Sequence, residues 1–161
     1  MKMKTELKLK QLVPAIGLPL AVGAAASFLT KDGMALFSVL QKPPLSPPGW
    51  LFAPVWTVLY ILMGFASALV YCSSASIPRR ERALTVYALS LVANFVWPLL
   101  FFGLEMFGLA FFWLILLWVL AAMAALLFHY IDETAGLLML PYLIWLGFAA
   151  YLNIGIWLLN R

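Results

Sequence analysis

Apolar residues run almost unbroken through five stretches of this chain, at about 11–29, 51–71, 84–102, 108–128 and 137–158, and polar residues collect between them. Each stretch is close to the length, about 20 residues, that a helix needs to cross a hydrocarbon core ~30 Å thick. Charges are almost absent from all five. A soluble chain of 161 residues could bury one such helix at its centre but not five. The pattern predicts an all-α membrane protein: a bundle of five transmembrane helices, with residues 1–161 forming one domain. The longest connection, 30–50, carries the run Gln41-Lys-Pro-Pro-Leu-Ser-Pro-Pro-Gly-Trp50. Proline lacks an N–H and clashes with the preceding turn. The run therefore predicts a stiff proline-rich loop between helices 1 and 2, with a short helix at 33–40. Ending in Trp50, it suits either a cover over one face of the bundle or an interfacial anchor, since tryptophan is enriched at headgroup level.

Composition agrees with the pattern. Hydrophobic residues make up 66% of the chain and charged residues 10%, against about 50% and 25% in soluble domains. Lys2, Lys4, Lys8, Lys10, Arg79, Arg80 and Arg82 fall on one side of five spans, and Lys31, Lys42 and Arg161 on the other. The positive-inside rule then puts the N-terminus in the cytoplasm. The lysine run suits anionic lipid headgroups rather than nucleic acid. A second reading of the first span is a signal peptide, with a basic start, an apolar run and Ala24-Ala25-Ala26. Pro14 and Pro19 interrupt that run, and its length exceeds the usual apolar core of a signal.

Within the spans, a few polar and aromatic positions share faces. Gly17, Ala21 and Ala25 form a small-residue stripe, suited to close helix packing inside the monomer or across a dimer, or simple filler. Trp56, Tyr60 and Met63 share one face of the second span. Asn94, Trp97, Pro98 and Phe101 put an amide, an indole and an expected bend within one helix. The connection at 103–108 is short, so spans three and four are antiparallel neighbours. Span four reads as scaffold, with Trp113 and Trp118 as packing or belt residues. In span five Tyr142, Trp145, Ala149 and Asn153 recur at helical spacing. That polar face fits either a pocket wall or hydrogen bonding between helices.

Several chemistries lack their parts. Cys72 is the only cysteine and His129 the only histidine, so an intrachain disulfide, a cysteine-based metal site and a histidine cluster are excluded. The spans hold no acid or base pair for a proton relay. Asp132 and Glu133 read as solvated near His129. No Walker loop, dinucleotide fingerprint or H-E-x-x-H occurs. What remains is Trp56, Tyr60, Asn94, Trp97, Tyr142, Trp145 and Asn153: flat aromatic walls with hydrogen-bonding tips. Such a set suits a flat, largely apolar ligand such as a tetrapyrrole or a sterol. Basic groups at the membrane surface could meet ligand carboxylates.

The run Lys42-Pro-Pro-Leu-Ser-Pro-Pro-Gly-Trp50 followed by Pro54-Val-Trp56-Thr-Val-Leu-Tyr60 resembles the signature of the TspO/MBR proteins, the tryptophan-rich sensory protein and translocator protein family once called peripheral benzodiazepine receptors. Asn94 to Gly103 resembles that family's third span, and Pro141-Tyr-Leu-Ile-Trp145 with Tyr151-Leu-Asn153 its fifth. The resemblance implies a five-helix membrane protein, commonly a homodimer, that binds protoporphyrin IX and related tetrapyrroles, with no obligatory cofactor. It implies a pocket inside the bundle, under the loop between the first two spans. Trp56, Asn94, Trp97 and Trp145 are implied as ligand-facing, with Trp50 at the loop's edge and Tyr142 and Asn153 as further candidates. Tyr151 lies ten residues before Arg161, outside the spacing of about one to five in the proposed cholesterol motif. The resemblance therefore implies a porphyrin-type ligand and a bacterial member, in a cell-envelope membrane. Porphyrin or lipid transport, and light-dependent porphyrin breakdown, stand as alternative activities.

Overall fold

A computed structural model describes residues 9–161, apart from the side chain of Met34. Lys2, Lys4 and Lys8 of the basic segment lie outside the described residues. Among the described residues, seven α-helices follow in order: α1 (Leu9–Leu29), α2 (Gly33–Val39), α3 (Phe52–Tyr71), α4 (Ile77–Pro98), α5 (Phe107–Ile131), α6 (Glu133–Leu138) and α7 (Leu140–Leu159). A 3-10 turn, Gly49–Leu51, leads into α3, and a π-helical turn, Leu99–Gly103, extends α4. Five helical stretches are long and apolar enough to cross a bilayer: Leu9–Leu29, Gly49–Tyr71, Ile77–Gly103, Phe107–Ile131 and Glu133–Leu159. The architecture is that of a multi-pass integral membrane protein.

The long helices close into a ring. α1 lies along α3, α3 meets α6 and α7, α7 packs on α5, α5 on α4, and α4 returns to α1. The outer surface exposes Leu18, Val58, Val92, Phe112, Leu126 and Ile144, which hydrocarbon solvates and water does not. Inside, Met63, Leu114, Leu117, Phe128 and Leu146 interlock with Ala66, Ala83, Ala121 and Ala124. The small residues let the helix backbones approach, as packing in lipid requires.

Four local features depart from the sequence pattern. The arginine cluster, expected in an exposed turn before a span starting near residue 84, is helical, because α4 begins at Ile77. Pro78 is preorganised for a first turn, and arginine is a good helix former. Arg80 Nη1 also donates to the Tyr71 carbonyl at 2.7 Å, which closes the α3–α4 turn. Secondly, Pro98 ends α4 regularly, and the irregularity follows it in the π turn, where the Leu104 N–H reaches the Leu99 carbonyl at 2.9 Å. A proline leaves the carbonyl four residues earlier without its usual donor, and a wider turn absorbs the mismatch. Thirdly, the last span begins as a separate α6, capped by Asp132, whose Oδ1 accepts from the Ala135 N–H at 3.0 Å.

The fourth concerns the stripe Gly17, Ala21 and Ala25, which faces outward: all three are exposed, and nothing lies within 4 Å of a Cβ placed at Gly17. The close crossing of α1 and α3 uses Gly64 instead, where a Cβ would fall 2.5 Å from Ile16 Cα and 2.8 Å from the Ala15 carbonyl oxygen. Between the two helices, residues 40–48 are non-helical and fastened to the end of α7. Gln41 and Asn160 exchange hydrogen bonds of 3.0 and 2.8 Å, and the Tyr151 hydroxyl donates to the Pro44 carbonyl at 2.7 Å. Pro43 sits against Gly155, where a Cβ would come within 2.5 Å of its ring.

Gly64→Ala forces backbone apart and is expected to destabilise the protein by about 1–3 kcal/mol, whereas Gly17→Ala is neutral or mildly stabilising. Thermal unfolding of both variants in one detergent checks this. Equal midpoints would contradict the crossing described.

Candidate functional site

A cavity of about 740 Å³ opens within the bundle, bounded by α1, α3, α4 and α7. It occupies the half of the bundle nearest the end of α1 and the start of α3. The volume lies in the range of small-molecule sites, about 300–1,000 Å³. α1 contributes Leu20, Gly23, Ala24 and Ser27, and the turn after it Thr30 and Lys31; the segment entering α3 and α3 itself contribute Trp50, Phe52, Trp56 and Tyr60. Asn94, Trp97, Pro98 and Phe102 come from α4 and the turn after it, and Trp145 and Ala149 from α7.

A hydrogen-bonded chain crosses the floor. The Tyr60 hydroxyl donates to Asn94 Oδ1 at 2.9 Å, and Asn94 Nδ2 donates to the Tyr142 hydroxyl at 2.8 Å. Three helices are thereby joined through one buried amide. Tyr60 reaches this position because residue 23 is glycine: a Cβ there would run into the Tyr60 ring. Trp56 stacks on Tyr60 with centroids 5.4 Å apart. A second link fixes one wall. Trp97 Nε1 donates to Asn153 Oδ1 at 3.0 Å, and Asn153 Nδ2 donates to the Phe107 carbonyl at 2.8 Å. Trp145 differs, because its buried Nε1 has no hydrogen-bond partner among the described residues. Its ring is held by an edge contact with Phe52 at 6.0 Å and a tilted contact with Phe148 at 5.5 Å.

The structure brings Trp50, Trp56, Tyr60, Asn94, Trp97 and Trp145 to the cavity. Trp50 is 72% exposed and stands at the mouth. Tyr142 and Asn153 do not reach the cavity surface. Both are buried behind it, and their polar atoms are taken up by Asn94, Trp97 and the Phe107 carbonyl. Their place is support of the walls. The α1 side was absent from the sequence-derived set, yet Leu20, Gly23, Ser27, Thr30 and Lys31 follow helical spacing and include three polar side chains near that end of α1. That periodicity was the available signal. Trp113 and Trp118 donate to the Ala93 and Leu143 carbonyls, away from the cavity.

The TspO/MBR family profile matches residues 15–158. The tryptophan-rich protein TspO of Chlorobaculum tepidum is 39% identical over 146 residues, covering 90% of this chain and 92% of the relative. The translocator protein of Bos taurus is 36% identical over 154 residues, covering 92% and 91%. The tryptophan-rich protein TspO of Archaeoglobus fulgidus is 37% identical over 151 residues, covering 93% and 97%. Similar chains thus occur in bacteria, archaea and eukaryotes.

Asn153→Leu strands the indole N–H of Trp97 and removes the second donor from the Phe107 carbonyl, and is expected to cost about 1–3 kcal/mol. Tyr151→Phe, at an exposed bond, should cost less than half as much. Thermal unfolding compares the two. A fully stable Asn153→Leu protein would show that the buried amide does not hold this wall.

Proposed function

The chain belongs to the TspO/MBR family, and from that membership and the indole-walled cavity we propose that it is an integral membrane receptor or sensor for protoporphyrin IX and related tetrapyrroles. The observation that carries this reading is the composition of the cavity. Trp50, Trp56, Trp97 and Trp145 all border a volume of about 740 Å³. Flat rings facing a cavity favour a flat, polarisable guest, and each good aromatic contact is worth about 0.5–1.5 kcal/mol beyond area burial. The neutral floor of Tyr60 and Asn94 can meet ring nitrogens or other polar edges without placing a charge in the hydrocarbon core. Trp50, Trp56, Tyr60, Asn94, Trp97 and Trp145 touch the ligand in this reading, while Tyr142 and Asn153 position Asn94 and Trp97.

In this reading Gly49 and Trp50, which border the cavity, cover its mouth, and the segment at 40–48 before them is their anchor, fastened to α7 through Tyr151 and Asn160. In the same reading residues 1–161 form one bundle in a cell-envelope membrane, the N-terminus is cytoplasmic, and two copies associate. Breakdown of the bound porphyrin by light and molecular oxygen, with oxygen as the oxidant, is a second reading, favoured by the number of oxidisable indoles against the cavity. It rests on the photoexcited ligand, because no charged acid–base pair lines the site.

Protoporphyrin IX is expected to quench tryptophan fluorescence saturably in the purified protein. Trp145→Phe should weaken binding severalfold, and Ala24→Trp, which fills the cavity from the α1 side, should abolish it. Affinity unchanged in both variants would remove the ligand from this cavity. Porphyrin loss should require light; equal loss in darkness would overturn the photochemical reading.

A further inference from the structure

Resting on the tetrapyrrole reading of the cavity, we propose that Lys31 is the residue that selects an anionic ligand and sets its orientation. Its ammonium takes a carboxylate carried on one edge of an otherwise apolar ring, so that edge lies at the cavity mouth.

Three basic residues lie at the end of the bundle where the cavity opens, and they are not equivalent. Lys42 is already engaged: its Nζ donates to the carbonyls of Phe37, Leu40 and Ser38 at 2.8, 3.2 and 3.3 Å and lies 5.0 Å over the Phe37 ring. The Arg161 guanidinium stacks 4.8 Å over Trp157, outside the cavity. Lys31 is the third. It borders the cavity, and among the described residues it is the only charged side chain that does so. No carbonyl or carboxylate of the described residues pairs with it, including the adjacent Asp32. Its contact is the Phe28 ring, 6.0 Å away. An ammonium without an acceptor, next to an apolar cavity, is an anion site of the charge-assisted kind.

The position explains orientation as well as selection. Lys31 lies two residues past Leu29, the end of α1, and Leu20 lines the cavity deeper on that helix. At 1.5 Å per residue the two ends are about 16 Å apart. One pole of the cavity is therefore cationic and near the headgroups, and the other is the neutral Tyr60–Asn94 floor. A charged carboxylate at the inner pole would face a desolvation cost that the outer pole avoids. A ligand with its carboxylates on one edge enters ring first.

The test compares protoporphyrin IX with its dimethyl ester, by fluorescence quenching in vesicles of neutral phosphatidylcholine. Lys31→Gln should weaken binding of the free acid about five- to tenfold and leave the ester unchanged. Lys31→Arg should retain most of the acid affinity. Added salt should weaken acid binding in the wild type and not in Lys31→Gln. Unchanged acid affinity in Lys31→Gln, or equal weakening of acid and ester, would overturn the assignment while the cavity reading survives. Failure of both probes to quench wild-type protein saturably would overturn the cavity reading and this assignment together.

Discussion

Inside a bilayer a buried amide can satisfy its hydrogen bonds only within the protein, and two such amides organise this molecule. Asn94 ties α4 to α3 through Tyr60 and to α7 through Tyr142. Asn153 ties α7 to Trp97 of α4 and to the first residue of α5. Hydrophobic burial cannot choose one helix arrangement in lipid, because the chains outside are as apolar as the side chains inside. Directional bonds and close backbone contacts make that choice. Here the amides settle the α3, α4, α5 and α7 side, and Gly64 settles the seating of α1.

The result is an asymmetric bundle. α5 packs heavily, with Leu114, Leu117, Ala121, Ala124 and Phe128 buried, and serves as scaffold for α4 and α7. α1 buries only Pro19 and Ala26. Its inner face is instead turned partly to the cavity. The segment between α1 and α3 is held to the far end of α7 rather than to α1.

Much of the helical organisation was legible because long apolar runs leave few alternatives. Asn94 and Trp97 stood out because an amide is conspicuous among leucines. The helix start at Ile77 was hidden by the arginines, whose charge reads as a turn although their backbone prefers helix. The facing of α1 was faint for a different reason. Residues 12–26 are apolar on every side, so hydropathy carries phase only from Ser27 onward, and Gly17 and Gly23 look alike until Tyr60 is seen against one of them. Tyr142 and Asn153 share a helical face with Trp145 and Ala149, but that face is wide enough to meet both a cavity and a neighbouring helix. Spacing along one helix cannot separate the two, and the partners on α4 do.

The tryptophans divide by what their indole N–H groups do. Trp97, Trp113 and Trp118 each donate to a fixed acceptor, and turning any of them breaks a bond that lipid cannot replace. Trp145 donates to none, so its reorientation forfeits only dispersion contacts. The cavity thus has one wall pinned by a hydrogen bond, at Trp97, and one held by packing alone, at Trp145, so a change at the second leaves the amide framework intact.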